Sequence, residues 1–173
     1  MFRTFILAGV LALAPIAAAS AQDAGPTDAQ IAHIAYTAGQ LDVDAARQAL
    51  EKSTNPEVRA FAELMARDHA AVNAQAVALV TRLHVTPEAN PTSTALTEAA
   101  AATHDRLQAL DGAAFDAAYV ANEVAFHQTV NTALSGTLIP DADNPELKAL
   151  LETGLTLFQS HQVHAEHLAQ SLQ

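Results

Sequence analysis

The chain has 173 residues, of which half are hydrophobic, with 8 Lys and Arg against 19 Asp and Glu and no Cys. The lack of Cys excludes disulfides, thiolate metal sites and cysteine nucleophiles. The formal charge of −11 disfavours nucleic acid as a partner, because phosphate binding needs clustered cations.

The first 21 residues have the pattern of a secretory signal peptide. Arg3 precedes an uncharged apolar run, Phe5–Ala14, and the small-residue tripeptide Ala19–Ala21 follows. We therefore expect export to the periplasm and cleavage before Gln22. An uncleaved membrane anchor is less favoured, because the run is shorter than the roughly 20 apolar residues that a bilayer requires and Pro15 breaks it.

Cleavage would leave residues 22–173 as one domain of 152 residues. The signal peptide carries only one charged residue, Arg3, so the mature chain has 7 Lys and Arg against 19 Asp and Glu, a formal charge of −12. No later segment is apolar enough to span a membrane. The partners left open are further copies of the chain, as a homo-oligomer, or another protein of the cell envelope.

The mature chain is predicted to be helical nearly throughout, because it is rich in Ala, Leu, Gln and Glu and has no segment that alternates apolar and polar residues. The first helix is predicted from Thr27 or Asp28 to about Ser53, and the second from Pro56 to about His84. After a loop over Val85–Thr94, a third helical segment runs from near Ala95 to about Leu134 and is interrupted at Asp111–Gly112. A loop over Gly136–Asn144 follows, and the last helix runs from Pro145 to the C-terminus.

The loop lengths predict the connectivity. A two-residue turn before Pro56 and the loop over Gly136–Asn144 each join antiparallel neighbours, whereas the roughly 25 residues from Val85 to Ala109 are long enough to recross the bundle. This indicates an all-α, ferritin-like four-helix bundle with a long crossover connection between helices two and three. A simple up-down-up-down bundle with a helical excursion is the alternative.

Each predicted helix directs at least one ionisable residue towards its apolar face. These candidate metal ligands are Asp42, Asp68, His69, Asp116, Glu123, His127 and His161. Counted along helices that rise about 1.5 Å per residue, Asp42, His69, Glu123 and His161 fall in one layer if the connection crosses over. In the up-down alternative, helix three would offer Tyr119 and Asp116 instead.

Carboxylates and imidazoles that converge in a bundle core are the ligands expected for a divalent metal such as Fe, Mn or Zn. Alternatively, the same residues pair with one another and only specify how the helices pack. No core-facing Glu-x-x-His tetrad occurs, which disfavours a di-iron enzyme. No nucleophile elbow or phosphate-binding loop is present either, so neither a catalytic residue nor a cofactor-binding residue is assigned.

The chain resembles an exported bacterial family, domain of unknown function 4142, over nearly all of its mature part. The resemblance rests on Gly39-Gln40-Leu41-Asp42, on Asn55-Pro56-Glu57-Val58-Arg59-Ala60-Phe61-Ala62 with Met65-Ala66-Arg67-Asp68-His69, on Gly112-Ala113-Ala114-Phe115-Asp116-Ala117-Ala118-Tyr119, and on His127 and His161. The family usually has Glu where this chain has Asp42, so a ligand there would reach about one methylene less. The resemblance implies a ferritin-like bundle and brings no activity with it.

Two functions are therefore compatible with the sequence. In the first, the mature protein binds a divalent metal through some of the seven candidate ligands. In the second, it is a non-catalytic bundle of the cell envelope that acts through its acidic surface.

Overall fold

The computed structural model describes residues 25–173, which contain six α-helices and no strand. The helices are α1 (Asp28–Lys52), α2 (Pro56–Arg82), α3 (Pro91–Gln108), α4 (Gly112–Ala133), α5 (Ile139–Asp141) and α6 (Pro145–Ser171), and a π-helical turn, Leu134–Leu138, joins α4 to α5. The predicted all-α class is confirmed. The predicted signal peptide, residues 1–21, and its cleavage site before Gln22 lie outside the described residues.

Three of the helices begin at an Asn-Pro pair. The side chains of Asn55, Asn90 and Asn144 cap α2, α3 and α6, and each accepts a hydrogen bond from a backbone N–H of the first turn. The proline that follows each Asn occupies the first helical position, where no N–H is needed. The first helix is capped by Thr27 in a capping box with Gln30.

Two predicted boundaries are wrong. The third predicted helix begins at Pro91 rather than near Ala95, because Asn90 and Pro91 act as a helix start rather than as part of a loop. The predicted loop over Gly136–Asn144 is helical as far as Asp141. Gly136 lies within the π-helical turn, and Pro140 lies at the start of a new α-helical turn, where the lack of a backbone N–H costs little stability.

Contacts between helix ends establish the direction of each long helix. At one end of the bundle, Lys52 of α1 reaches Asp111 before α4, with Nζ 3.0 Å from Oδ1, and Ser171 of α6 donates to Glu57 of α2. At the other end, the carboxylate of Asp28 of α1 accepts from the backbone N–H groups of Asp143 and Asn144 before α6. Helices α2 and α4 therefore run parallel to each other, and α1 and α6 run in the opposite direction.

The crossover connection predicted between helices two and three is confirmed. Helix α1 packs on α2 and α4, and α6 packs on the same two helices, so α2 and α4 are diagonal to each other. Helix α3 runs along the outside of α1. At the start of α3, Asn90 donates to the backbone carbonyl of Gln30, and near the end of α3, Gln48 of α1 donates to the backbone carbonyl of His104. The up-down-up-down alternative is wrong, because consecutive long helices in it would be neighbours.

The core is divided into two apolar clusters by a layer of polar side chains. One cluster lies near the start of α2 and α4 and includes Phe61, Met65, Phe115, Tyr119 and Leu168. The other lies near the start of α1 and α6 and includes Ile31, Leu79, Leu134, Leu151 and Phe158. Between the two clusters, α1, α2, α4 and α6 each contribute at least one buried ionisable residue. Within residues 25–173, no helix has both the length and the apolarity needed to cross a bilayer.

Candidate metal centre

The polar layer consists of Asp42 from α1, His69 from α2, Glu123 and His127 from α4, and His161 from α6. All five side chains are buried, and Glu123 is wholly inaccessible to solvent. We call His69, His127 and His161 the histidine cluster, and Asp42 and Glu123 the carboxylate pair. The two apolar clusters above and below the layer isolate it from solvent along the bundle axis.

Two imidazoles meet in the layer. Nε2 of His69 lies 3.3 Å from Nε2 of His127, and Oδ2 of Asp42 lies 3.6 Å and 3.7 Å from these two nitrogens. His161 completes the histidine cluster, in which one ring nitrogen of each residue lies within 4.8 Å of the other two. Three imidazoles and a carboxylate thus converge on one region.

The tautomer of His127 follows from its second nitrogen. Nδ1 of His127 is 2.9 Å from the backbone oxygen of Glu123, and a carbonyl only accepts hydrogen bonds, so Nδ1 carries the proton. Nε2 of the neutral ring then carries the lone pair, which faces His69 and Asp42. Metal-binding histidines typically have this arrangement, with the outer N–H donated to a carbonyl or carboxylate.

His161 has the same arrangement with the ring reversed. Its Nε2 donates to Oδ2 of Asp68 at 3.1 Å, and Oδ1 of Asp68 accepts from Nε of Arg67 at 2.8 Å. The lone pair is therefore on Nδ1, which is buried and has no hydrogen-bond partner among the described residues. Asp68 positions the ring from the edge of the layer.

Burial keeps the histidine cluster neutral. Loss of solvent lowers the pKa of His69 to about 2, with a smaller contribution from the neighbouring His127 and His161, and lowers the pKa of His127 to about 4. The pKa of His161 is also lowered by burial, although its hydrogen bond to Asp68 opposes the shift. At neutral pH the three rings are uncharged, as metal ligands must be.

Burial has the opposite effect on the carboxylate pair, because it disfavours the charged form of an acid. It raises the pKa of Asp42 to about 7, and burial together with the charge of Asp42 raises the pKa of Glu123 well above its usual range. Tyr119, one turn before Glu123, is buried beside the pair, and its pKa is raised by burial and by the two carboxylates. Without a cation, ionisation of this pair is unfavourable.

Many polar atoms of the layer have no hydrogen-bond partner among residues 25–173. They include both carboxylate oxygens of Asp42, both of Glu123, Nδ1 of His69 and Nδ1 of His161, and the hydroxyl of Tyr119 beside the layer has no partner either. Buried polar atoms are normally hydrogen-bonded, and each unsatisfied one costs roughly 1–3 kcal/mol. Their concentration in one layer indicates a site for a ligand that these atoms would bind.

The donor set fits a transition-metal ion. Tetrahedral nitrogen ligands with bonds of about 2.0–2.1 Å lie about 3.3 Å apart, which is the separation of the Nε2 atoms of His69 and His127. A second group of ligand atoms within 4.8 Å of one another is formed by Asp42, Glu123 and His127. His127 belongs to both groups and Asp42 approaches both, so the carboxylate pair adjoins the histidine cluster.

The structure brings five of the seven predicted ligands into the layer, and Asp68 contacts it through His161. Asp116 is not part of it. Its side chain is buried, but it lies seven residues, or about 10 Å, before Glu123 on α4 and belongs to neither group of ligand atoms. On α4, Glu123 and His127 fall in the layer because the crossover reverses that helix relative to the up-down alternative.

One buried polar residue of the site region, Asn73, was not predicted. It lies four residues after His69 on α2, and its amide nitrogen has no partner among the described residues. Opposite it, Gly39 of α1 leaves room for the amide: a Cβ at position 39 would overlap Oδ1 of Asn73. The spacing of four from His69 was the available sequence signal, because residues four apart share a helix face.

The family model for the domain of unknown function DUF4142 matches residues 13–168. Because the match covers most of the chain, the chain belongs to this family. A search of the curated proteins finds no match.

Two solved structures share the fold at low sequence identity. A DUF305 protein from Streptomyces coelicolor, described as secreted, is 15% identical with a TM-score of 0.72, and the alignment covers 84% of this chain and 93% of that one. CopM in its Cu(II)-bound form is 16% identical with a TM-score of 0.67, and the alignment covers 86% of this chain and 99% of that one. At these identities the likeness shows a common helical-bundle fold.

Proposed function

We propose that this DUF4142 protein binds one divalent transition-metal ion in the polar layer, through the histidine cluster and Asp42. The observation that carries the proposal is the convergence of three neutral imidazoles and a carboxylate oxygen in a buried layer, in which Nδ1 of His161 and both oxygens of Asp42 have no hydrogen-bond partner among the described residues. In this proposal Glu123 lies beside Asp42 and is not a ligand, and Asp68 orients the ring of His161.

The alternative, a purely structural network, accounts less well for the same atoms. In such a network each buried donor would meet an acceptor, because a half-satisfied polar core is less stable than an apolar one. Here the carboxylate pair presents four oxygens without partners to a region that holds neutral imidazoles. A metal ion would accept lone pairs from both kinds of group and would offset the buried negative charge.

The donor set narrows the choice of metal. Imidazole nitrogens suit Zn, Cu, Fe and Ni, whereas sites for Mn and Mg are dominated by oxygen. Of the metals that the sequence indicates, the three histidines favour Zn and Fe over Mn. The likeness in fold to CopM, whose structure is of a Cu(II)-bound form, supports adding Cu(II) to the metals tested.

We further propose that the mature chain, residues 22–173, acts in the periplasm as a binding protein rather than as an enzyme. The signal-peptide pattern supports export, and so does the likeness to a Streptomyces protein described as secreted. An ion held by residues that are at most 2% exposed is suited to retention rather than rapid exchange, which favours storage or sequestration.

The test uses the purified protein, elemental analysis and the melting temperature measured with and without a chelator. We expect about one metal ion per chain, and a lower melting temperature after chelation, because an ion that binds only the folded state stabilises it. The variant His161→Gln should lose the metal and the effect of the chelator. The matched control is His167→Gln, which changes an exposed histidine on the same helix and should retain both.

A different result would favour the structural network. In that case His161→Gln would lower the stability by about 1–3 kcal/mol, because its partners would be left unsatisfied. The loss would be equal with and without chelator, and wild-type protein titrated with Zn(II), Fe(II) or Cu(II) would show no stoichiometric binding. That outcome would leave the protein as an envelope bundle that acts through its acidic surface.

A further inference from the structure

The apolar cluster near the start of α1 and α6 encloses a cavity of about 140 Å³, which we call the core cavity. Side chains of α1, α2, α4 and α6 line it. In the other cluster Phe61 and Tyr119 are wholly buried, whereas Leu151 and Phe158, which line the core cavity, keep 5% and 7% of their surface exposed. The core around this cavity is therefore less tightly packed than the other half of the bundle.

Small residues leave this space open. Ala35 and Ala38 of α1, Ala76 of α2 and Gly154 of α6 line the core cavity. A Cβ at position 154 would meet only the ring of Phe158, at 3.4 Å, so the space there would admit a side chain. Because Gly within a helix is less stable than Ala, the bundle keeps this volume empty at a cost in stability.

The wall of the core cavity is uncharged and almost wholly apolar. Among residues 25–173, no Lys, Arg, Asp or Glu lines it, and its polar side chains are those of His69, Asn73, Thr92 and Thr129. A buried water needs two to four polar partners, and an engineered apolar cavity of about 150 Å³ in another protein stays dry and binds benzene. The volume and the wall of the core cavity therefore suit a small, uncharged, apolar molecule.

A second cavity provides a route to it from solvent. This outer cavity, of about 440 Å³, lies between α3 and the face formed by α1 and α4. Leu96 of α3 and Phe126 and Thr129 of α4 line both cavities, so the two adjoin beneath α3. Thr129 is exposed to solvent, and so is Thr92 of α3, which lines the core cavity. A ligand would therefore enter between α3 and α4 and pass Leu96 and Phe126.

We infer that the core cavity binds one small, uncharged, apolar molecule of about six non-hydrogen atoms, the size of benzene. Such a molecule would exchange water for contacts with aliphatic side chains and the ring of Phe158, which is favourable in proportion to the apolar area it buries. A carboxylate or an ammonium group of the same size would lose its hydration without gaining a charged partner, and that transfer is costly.

This inference goes beyond metal binding and does not depend on it. Of the polar layer, only His69 lines the core cavity, where its ring stacks on that of Phe158. The other members of the histidine cluster and the carboxylate pair are not part of the wall. The two sites are therefore neighbours in the core, and binding at one can be measured without the other.

The experiment is a calorimetric titration of the full-length protein with benzene in the presence of a chelator, with benzoate and benzylamine as matched charged probes. We expect one benzene per chain. Both charged probes should bind at least about tenfold more weakly, because the wall offers their charge no partner. The use of both signs separates exclusion of charge from simple repulsion of anions by the acidic chain.

Two variants of α6 test the position. Gly154→Leu places a side chain in the core cavity and should weaken benzene binding at least about tenfold, because the volume is then occupied. The matched control is Ala149→Leu, at an exposed position outside the cavity, which should leave the affinity within about twofold. Leu151→Ala enlarges the cavity instead and should bind naphthalene more tightly than the wild type does.

Three results would each overturn the inference: no benzene bound to the wild type, benzoate or benzylamine bound as tightly as benzene, or benzene affinity unchanged in Gly154→Leu. If Gly154→Leu does not fold, an unchanged naphthalene affinity in Leu151→Ala would have the same meaning. His161→Gln, which should lose the metal, should still bind benzene, so a failure of one proposal is distinguishable from a failure of the other.

Discussion

Nε2 of His69 and Nε2 of His127 lie 3.3 Å apart although they belong to diagonal helices of the bundle. Diagonal helices do not pack against each other, so their side chains meet only at the bundle axis. The ring of Phe158 on α6 stacks on His69 with centroids 4.4 Å apart and planes 3° from parallel, which holds the imidazole in this position. The proposed metal centre therefore lies on the axis of the bundle.

Removal of the Asp68 carboxylate should weaken metal binding without removing a ligand. Asp68 accepts from Nε2 of His161, which leaves the lone pair on Nδ1, the atom that we propose binds the metal. Loss of such an outer partner typically lowers metal affinity by 10–100-fold, and we expect an effect of about this size in Asp68→Ala. The measurement is a competition titration against a chelator of known affinity.

The control for this variant is Arg67→Ala. Arg67 contacts Asp68 on its solvent side, with 70% of its own side chain exposed, and an exposed ion pair contributes little. The metal affinity of the Arg67→Ala protein should stay within about threefold of that of the wild type. Equal losses in both variants would mean that Asp68 acts through general electrostatics rather than through His161.

The metal-free protein should become less stable, relative to Asp42→Asn, as the pH rises from 4 to 7. The pKa of Asp42 is about 7 in the folded protein against 3.8 in the unfolded chain, so unfolding releases a proton in this range. A raised carboxyl pKa thus removes stability as the pH increases, by about 4 kcal/mol over the whole interval. Urea unfolding in the presence of chelator, at several pH values, measures the difference.

Metal-loaded protein should show the opposite trend. Binding requires the ionised form of Asp42, so metal-linked stability should grow as the pH rises over the same range. The Asp42→Asn variant corrects for the titrating groups that Asp42 does not influence, among them His69 and His127, whose lowered pKa values make folding less favourable in acid. The measured difference belongs to the carboxylate pair as a whole, because the charge of Asp42 also raises the pKa of Glu123. A stability difference that is flat from pH 4 to pH 7 would contradict the raised pKa of Asp42.

Gly39 should not tolerate a side chain, whereas Gly154 should. A Cβ at position 39 would overlap the amide oxygen of Asn73, and overpacking of this kind costs roughly 1–3 kcal/mol, against the roughly 0.5–1 kcal/mol that replacing a helical Gly by Ala contributes, so the net effect is a loss of stability. At position 154 a Cβ would meet only the Phe158 ring, at 3.4 Å, and replacing a helical Gly by Ala adds roughly 0.5–1 kcal/mol of stability. Denaturant unfolding of the two alanine variants should therefore give shifts of opposite sign.

A double variant identifies the cause. If the overlap with Asn73 is what destabilises Gly39→Ala, then Gly39→Ala with Asn73→Ala should recover most of the lost stability. Additive losses in the double variant would contradict the assignment.

Export should remove the first 21 residues. The apolar run and the tripeptide Ala19–Ala21 predict cleavage between Ala21 and Gln22. Intact-mass measurement of periplasmic material should give a chain that begins at Gln22. A chain that retains Met1 and fractionates with membranes would contradict cleavage.

The helices and their starts could be read from local sequence. Asn55-Pro56 and Asn144-Pro145 are capping residues followed by a proline that needs no N–H, and both were predicted as helix starts. Asn90-Pro91 is the same local signal, but the surrounding polar residues and Pro87 concealed it. The helix through Gly136 and Pro140 was not predictable, because burial of Leu134, Leu138 and Ala142 outweighs two residues that normally end a helix.

The level of the candidate site along the bundle axis could be predicted from the sequence, but the distances between its side chains could not. Residue counts along the helices placed Asp42, His69 and Glu123 at one level, because the rise per residue is constant. Whether their atoms meet depends on helix rotation, on rotamers and on which helices are diagonal, and these follow from packing of the whole core. The tertiary structure alone therefore decided that His127 lies in the layer and that Asp116 does not. It alone also produced the cavity between α3 and α4, because α3 is attached near its ends while its middle lies away from α4.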